Sequence, residues 1–356
     1  MKDYMKTIKI FAAASIFLQA SAFAETIVIS DLSDYGRYVS GYAFNFSSSG
    51  DILQVDMDLT GSCAIEYING ASSAGYSDVF SIETSKDSAV IGSSGNNLFR
   101  WGAEGKGVFT IGERVEAVSY QHVLRSNVGV KVRGEMTCAQ NLSMDQNSLL
   151  TAEGGGRVSV GETLNAWGDG ARVVVESGGS VVANGWAELG GDSSSFTVRG
   201  YFQSARLNLS GTGAMFDVEA GGNAAITGDV LINNGGMILV GGSMDVNGTV
   251  ASDSSVTIEF TDSSALLDVA EFDLEEVNLN GLWGEGNLII SSMTEDAIRA
   301  IRWFHDGEEL ICGRTYFLAD NPGGGYVFSS VPEPAEIAAI MAAFVLISAV
   351  WRRMGK

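Results

Sequence analysis

Residue types that carry chemistry are few and scattered in this 356-residue chain. Its two histidines, His122 and His305, stand in different regions, and neither belongs to a recognisable base–nucleophile arrangement. Both read as surface or internally satisfied side chains. No G-x-S-x-G elbow, H-E-x-x-H helix or Walker phosphate loop occurs. Asp169, Asp192 and Asp229 each follow a glycine, so on a coiled scaffold they would fall along one edge. There they would act either as clustered carboxylates for glycan cleavage or as turn residues bonding their own backbone, and Gly-Asp is ordinary turn chemistry. Calcium at such turns needs only oxygen ligands from adjacent corners, but the glycine-rich nonapeptide of calcium-binding β-rolls is absent. The expectation is therefore no cofactor, with calcium the one candidate. Cys63, Cys138 and Cys312 lack C-x-x-C spacing, which argues against a metal site. They leave either a Cys63–Cys138 disulfide with one thiol over, or three buried thiols. No catalytic residue is assigned, and the chain is read as a non-enzyme.

Charge narrows the partners. Lys and Arg number 21 against 43 Asp and Glu, a net charge of −22. The two ends hold Lys2, Lys6, Lys9, Arg352, Arg353 and Lys356 against only Asp3, Glu333 and Glu336, so the body between is more acidic still. Nucleic acid and anionic lipid headgroups both need a basic footprint and are excluded. Divalent cations, basic proteins and neutral or cation-bridged glycans remain. With 45 glycines and 3 prolines, the composition suits short strands joined by tight turns.

A loose repeat fills the middle of the chain. Arg172-Val-Val-Val-Glu-Ser-Gly-Gly, Met215-Phe-Asp-Val-Glu-Ala-Gly-Gly and Met237-Ile-Leu-Val-Gly-Gly write the same alternation and turn, with weaker copies at Leu150 and Ser195. Copies start near residues 150, 172, 195, 215, 237 and 256. One copy cannot bury its apolar side alone, whereas stacked coils make a continuous core and pair every strand with the rungs above and below. Glycine at the corners permits positive φ and close approach of successive coils. The expected fold is all-β, a right-handed parallel β-solenoid (β-helix); a β-sandwich of hairpins is the competing architecture. Before it, Asp51–Leu59, Val108–Ile111 and Val128–Val132 alternate with period two and suggest a β region or irregular early rungs. After it, Ser292-Met-Thr-Glu295 suggests a capping box opening a helix from Thr294 to Trp303. A hairpin of Glu309–Phe317 and Tyr326–Phe328, turned by Asn321-Pro-Gly-Gly-Gly325, would complete a cap. The repeat region resembles the passenger-type β-helices of secreted bacterial proteins.

The ends carry topology. Lys2, Lys6 and Lys9, the apolar run Ile10–Leu18 and the small residues of Ala22-Phe23-Ala24 have the layout of a secretory signal cut before Glu25. At the other end, Val331-Pro332-Glu333-Pro334 precedes the apolar stretch Ile337–Trp351 and then Arg352, Arg353 and Lys356. That stretch is barely long enough to span a hydrocarbon core of about 30 Å, and its basic cluster keeps its own end in the cytoplasm. Pro332 and Pro334 hold the connector extended. A Pro-Glu-Pro triplet, one short transmembrane helix and a terminal Arg cluster together resemble the PEP-CTERM sorting signal. The resemblance implies recognition by a membrane-embedded exosortase-like protease that cuts near the triplet. It also implies a Gram-negative envelope setting, with the protein transiently anchored in the inner membrane.

The organisation read from the sequence is thus a signal peptide (1–24), an N-terminal β region or early rungs (25–148), solenoid repeats (149–290), a cap (291–330) and the sorting tail (331–356). The function expected is a cell-surface or extracellular structural or adhesive protein associated with exopolysaccharide or biofilm matrix. The alternative is a polysaccharide lyase or hydrolase on the same scaffold.

Overall fold

The computed structural model describes residues 24–70, 78–93, 97–102, 107–282 and 285–330. They wind into an all-β, right-handed solenoid of about twelve turns. Each full turn lays three short strands on three faces. The first face is a 14-stranded sheet, parallel until its last member. The second and third faces belong to one 20-stranded sheet, because several strands turn the corner between them without a break. Ser180–Leu189 is one such strand, and its register shifts between Ala183 and Trp186 where the chain bends.

The repeat copies are successive strands of the first face. Leu149 pairs with Arg172, Arg172 with Ser195, Ser195 with Met215, Met215 with Met237, and Met237 with Thr257, all in parallel. The same ladder reaches back through Val128–Val132, Gly107–Ile111, Val79–Glu83 and Ile52–Val55 to Thr26–Ile29. Residues 25–148 therefore supply rungs as well. Their pairings join residues farther apart, as in Thr26 with Ile52 and Ser81 with Thr110. Longer corners add residues without changing the strand register, which hides the period from the sequence.

Alternation builds the core. Val130, Leu150, Val173, Phe196, Phe216, Ile238 and Ile258 follow one another up the inside of the first face, none more than 1% exposed. Burial of each contributes about 1.5–3 kcal/mol. Aromatic rings fill the wide places: Phe46, Phe80 and Phe109 near the start, and Phe196, Phe202 and Phe216 in the middle. At the corners the two glycines of Gly178-Gly179 do different work. Gly178 adopts φ +80°, while a Cβ on Gly179 would run into the carbonyl oxygens of Ala152 and Glu153 one rung earlier.

Both ends depart from the coil. A helix absent from the sequence reading, Leu32–Tyr38, follows the first strand and is capped by Asp31, whose side chain accepts from the Ser33 and Asp34 amides. The C-terminal helix runs Glu295–Ala300, and its cap is Thr294, not Ser292. The helix stops short of Trp303 because Arg302–His305 joins the first face beside Glu276. Trp303 then points inward and donates its indole N–H to the Ile298 carbonyl at 3.0 Å. The final hairpin pairs Tyr316–Asp320 with Tyr326–Ser330, and the second strand lies antiparallel on Glu285–Ile290. Glu308–Leu310 is a separate antiparallel strand on Arg302–His305. These reversals use up the last parallel edges, which would otherwise be open to pairing with another chain. No helix among the described residues is long and apolar enough to cross a membrane. The stretch expected to do so lies in residues 331–356, outside the described residues.

Candidate functional site

Of the residues singled out at the ends, Ala22, Pro332, Glu333, Pro334, Arg352, Arg353 and Lys356 lie outside the described residues. Ala24 is exposed and stands two residues before the first strand, which opens at Thr26. Next to it, the Glu25 amide donates to Asp51 Oδ1 at 2.9 Å. Asp51 is fully buried and also accepts from the Ser47 and Ser48 amides at 2.9 and 2.7 Å. The carboxylate thus fastens the start of the first strand to the next rung.

The Gly-Asp acids divide between two corners. Asp169 Oδ1 accepts from the Asp192 amide at 3.0 Å, and Asp192 Oδ1 from the Thr212 amide at 3.0 Å, one rung above the other. Asp229 sits at a different corner, where Oδ1 accepts from the Thr249 amide and Oδ2 takes an Arg206 ion pair, both at 3.1 Å. All three bond forward to the backbone of the next coil, which is turn chemistry extended between rungs. No group of three or more metal-ligating side chains occurs among the described residues. The three cysteines are free thiols. Cys138 is buried with its Sγ 2.8 Å from the Asn141 carbonyl, and burial pushes its pKa up to about 11.

Both histidines are satisfied internally. His305 donates from Nδ1 to the Leu279 carbonyl at 2.8 Å. His122 is fully buried, with Nε2 3.1 Å from the Thr137 carbonyl and 3.3 Å from that of Ala117. Its Nδ1 accepts the Trp101 indole N–H at 3.4 Å, so the ring is neutral with its proton on Nε2. Desolvation lowers its pKa from 6.5 to about 4, although the two carbonyls pull the other way. The unfolded chain then takes up a proton near pH 6.5 that the folded chain refuses until about pH 4. This contribution is present above pH 6.5 and lost as pH falls through that window, a cost of about 3 kcal/mol. Urea unfolding at pH 7.5 and pH 4.5 should show the loss in the native protein and not in His122→Leu. Equal pH slopes in the two proteins would refute it.

Charged columns run along one corner of the coil. Arg199 is gripped from both sides, by Glu176 at 3.0 Å and by Glu219 at 2.6 Å, and it holds the Glu219 carboxyl below its usual range. Arg133 and Glu153 form a like pair at 2.6 Å. All keep partial contact with solvent, which screens them, so they tune register more than stability.

The third face presents a different surface. Inward Leu164, Ala166, Ala187, Leu189, Leu207 and Leu209 fix Asn165, Glu188 and Asn208 as the outward residues between them. The register stacks those three in one column, Asn165 beside Glu188 beside Asn208. The Asn208 amide donates to Glu188 Oε1 at 3.2 Å. Asn165 is only 7% exposed, and Oδ1 of both Asn165 and Asn208 is buried without a partner. Tryptophans flank the column. Trp167 is 60% exposed and lies over Gly190 of the next rung, where a Cβ would meet its indole at 2.8 Å. Trp186 is 43% exposed on the other side, with the Arg206 guanidinium 4.8 Å above its ring.

Sequence reasoning passed over both tryptophans. Their spacing, close to the repeat length, was the available signal that they stand on adjacent coils. No family model matches the chain, and neither curated proteins nor solved structures show a significant match to it.

Proposed function

We propose that this chain is an exported, non-catalytic surface protein, adhesive toward the exopolysaccharide of a biofilm matrix and sorted by an exosortase-like protease. The observation that carries the sorting is the order of parts in the tail: Pro332-Glu333-Pro334, the apolar stretch Ile337–Trp351, then Arg352 and Arg353. In this reading the tail holds the protein in the inner membrane until the cut, and the acidic coil is what reaches the outside.

Two structural features support it. A capped coil with inward apolar columns and paired outward charges suits a rigid display surface. The first rung also suits signal removal before Glu25. That cut would turn the Glu25 amide into an α-ammonium held against the buried Asp51 carboxylate, replacing a neutral donor with a charge-assisted one.

The test is mass spectrometry of the C-terminal peptide from protein recovered outside the cells. A new terminus close to Pro332–Pro334 is the expected result. Recovery of Ile337–Lys356 intact, only in the membrane fraction, would reduce the tail to a plain anchor and remove the sorting assignment.

A further inference from the structure

We infer that the third face around Asn165, Trp167, Glu188 and Asn208 is a binding site for a neutral polysaccharide chain. This deepens the adhesive reading by naming its ligand class and is independent of the sorting reading.

Trp167 supplies the platform. Gly190 lets the indole settle onto the sheet, and 60% of the residue still faces solvent. Leaving a large ring exposed forgoes the burial that tryptophan otherwise gains, and exposed tryptophan is a recurrent anchor where a partner docks. A rigid apolar ring edged by hydrogen-bonding groups matches a pyranose, which has an apolar C–H face and a rim of hydroxyls. Trp186 stands about four residues along the strand from the Gly190 position, roughly 13 Å at about 3.3 Å per residue. Its ring is already engaged by Arg206, so it borders the site rather than offering a vacant cation-binding face.

The column beside Trp167 says what the ligand must bring. The Oδ1 atoms of Asn165 and Asn208 and the Glu188 carboxylate are all acceptors, and the two amide oxygens have no donor. A buried acceptor left unmatched carries the full desolvation penalty of that group, and no described side chain on this face relieves it. Asn165, more than nine-tenths buried yet outward on the sheet, is the sharpest case. A donor-rich ligand would match this column of acceptors, and hydroxyl groups fit. The charge excludes an anionic glycan: Glu188 is accompanied by Asp169, Asp192 and Asp229 at the flanking corners, and Arg206 is committed to Asp229. Repetition suits a polymer, because Asn165, Glu188 and Asn208 recur at the rung spacing of about 4.8 Å. A hexose unit in an extended chain advances by a similar distance, so the polysaccharide would run along the solenoid axis.

Affinity electrophoresis of the whole exported body tests this, with native gels containing hydroxyethylcellulose or galactomannan as neutral probes and alginate as the anionic one. At least one neutral polymer should retard the protein, alginate should not, and the retardation should persist in about 1 M NaCl, where exposed charges are screened within about 3 Å. Trp167→Ala should weaken binding about tenfold or more and Glu188→Gln several-fold, with unchanged circular dichroism. Phe317→Ala, an exposed aromatic on the C-terminal hairpin, should change nothing. Neutral-polymer binding that survives Trp167→Ala would overturn this site while leaving the adhesive reading standing. Failure of every polymer, neutral or anionic, to retard the native protein would remove both. Retention by alginate alone would replace the neutral glycan with an anionic one, and retention abolished by salt would replace it with a charge-driven partner; either result overturns the proposal.

Discussion

Alanine at Pro332, Glu333 and Pro334 together is expected to leave export intact and to abolish C-terminal processing. The mutant should accumulate in the membrane fraction with its basic end retained. In the sorting reading, the proline rings would hold the connector extended and deny it helical hydrogen bonds, as a protease needs of a substrate backbone. Alanine would favour helix through the triplet and removes the acidic side chain. The measurement is the mass of the C-terminal peptide in membrane and extracellular fractions. Unchanged processing would show that the triplet is not what the protease reads. Because the apolar stretch and Arg352 and Arg353 stay in place, membrane insertion itself should not change.

Phe196→Ala is expected to be the most damaging single change to the coil, costing about 3–5 kcal/mol. Phe196 is fully buried, with its ring 4.4 Å from Phe202 and 5.5 Å from Phe216. Its register neighbours, Val173 below and Phe216 above, are locked to it by the backbone ladder and cannot collapse into the space. Thr197→Ala, on the outward side of the same strand, should stay within about 0.5 kcal/mol. Each coil contacts only its neighbours, so the damage should concentrate around those rungs and split the unfolding transition rather than shift it whole. Urea unfolding followed by circular dichroism checks both effects. A loss below about 1 kcal/mol for Phe196→Ala would mean that the interior there is not closely packed.

Much of the coil could be read from residue order because its rules are local. The alternation in Arg172–Val175, Met215–Val218 and Met237–Val240 states which side chains go inside. The Gly-Gly corners state where the chain must turn. The turn at residues 321–325 was equally plain, since a Pro-Gly run admits little else, but the strand before it is Tyr316–Asp320 and not Glu309–Phe317, because Glu308–Leu310 pairs instead with Arg302–His305. Where corners lengthen, as between Ile52 and Ser81, the same strands lose their regular spacing and residues 25–148 no longer announce themselves as rungs. The C-terminal helix shows a second limit: its apolar pattern continues to Trp303, but pairing of Arg302 with the Glu276 strand ends it at Ala300.

The sequence by itself determined the alternation, the turning points, the acidic balance and the order of parts at both ends, all of which depend on neighbours along the chain. The tertiary structure alone decided which side chains share a surface. His122 is a neutral structural group because Trp101, Ala117 and Thr137 close around it from three strands. Asp169 and Asp192 part from Asp229 because they occupy different corners, although all three follow a glycine. Asn165, Glu188 and Asn208 form a column, and Trp167 covers Gly190, only because parallel pairing sets residues about one coil apart side by side. That register is chosen by the whole stack, since a slip of one residue would turn every buried side chain outward.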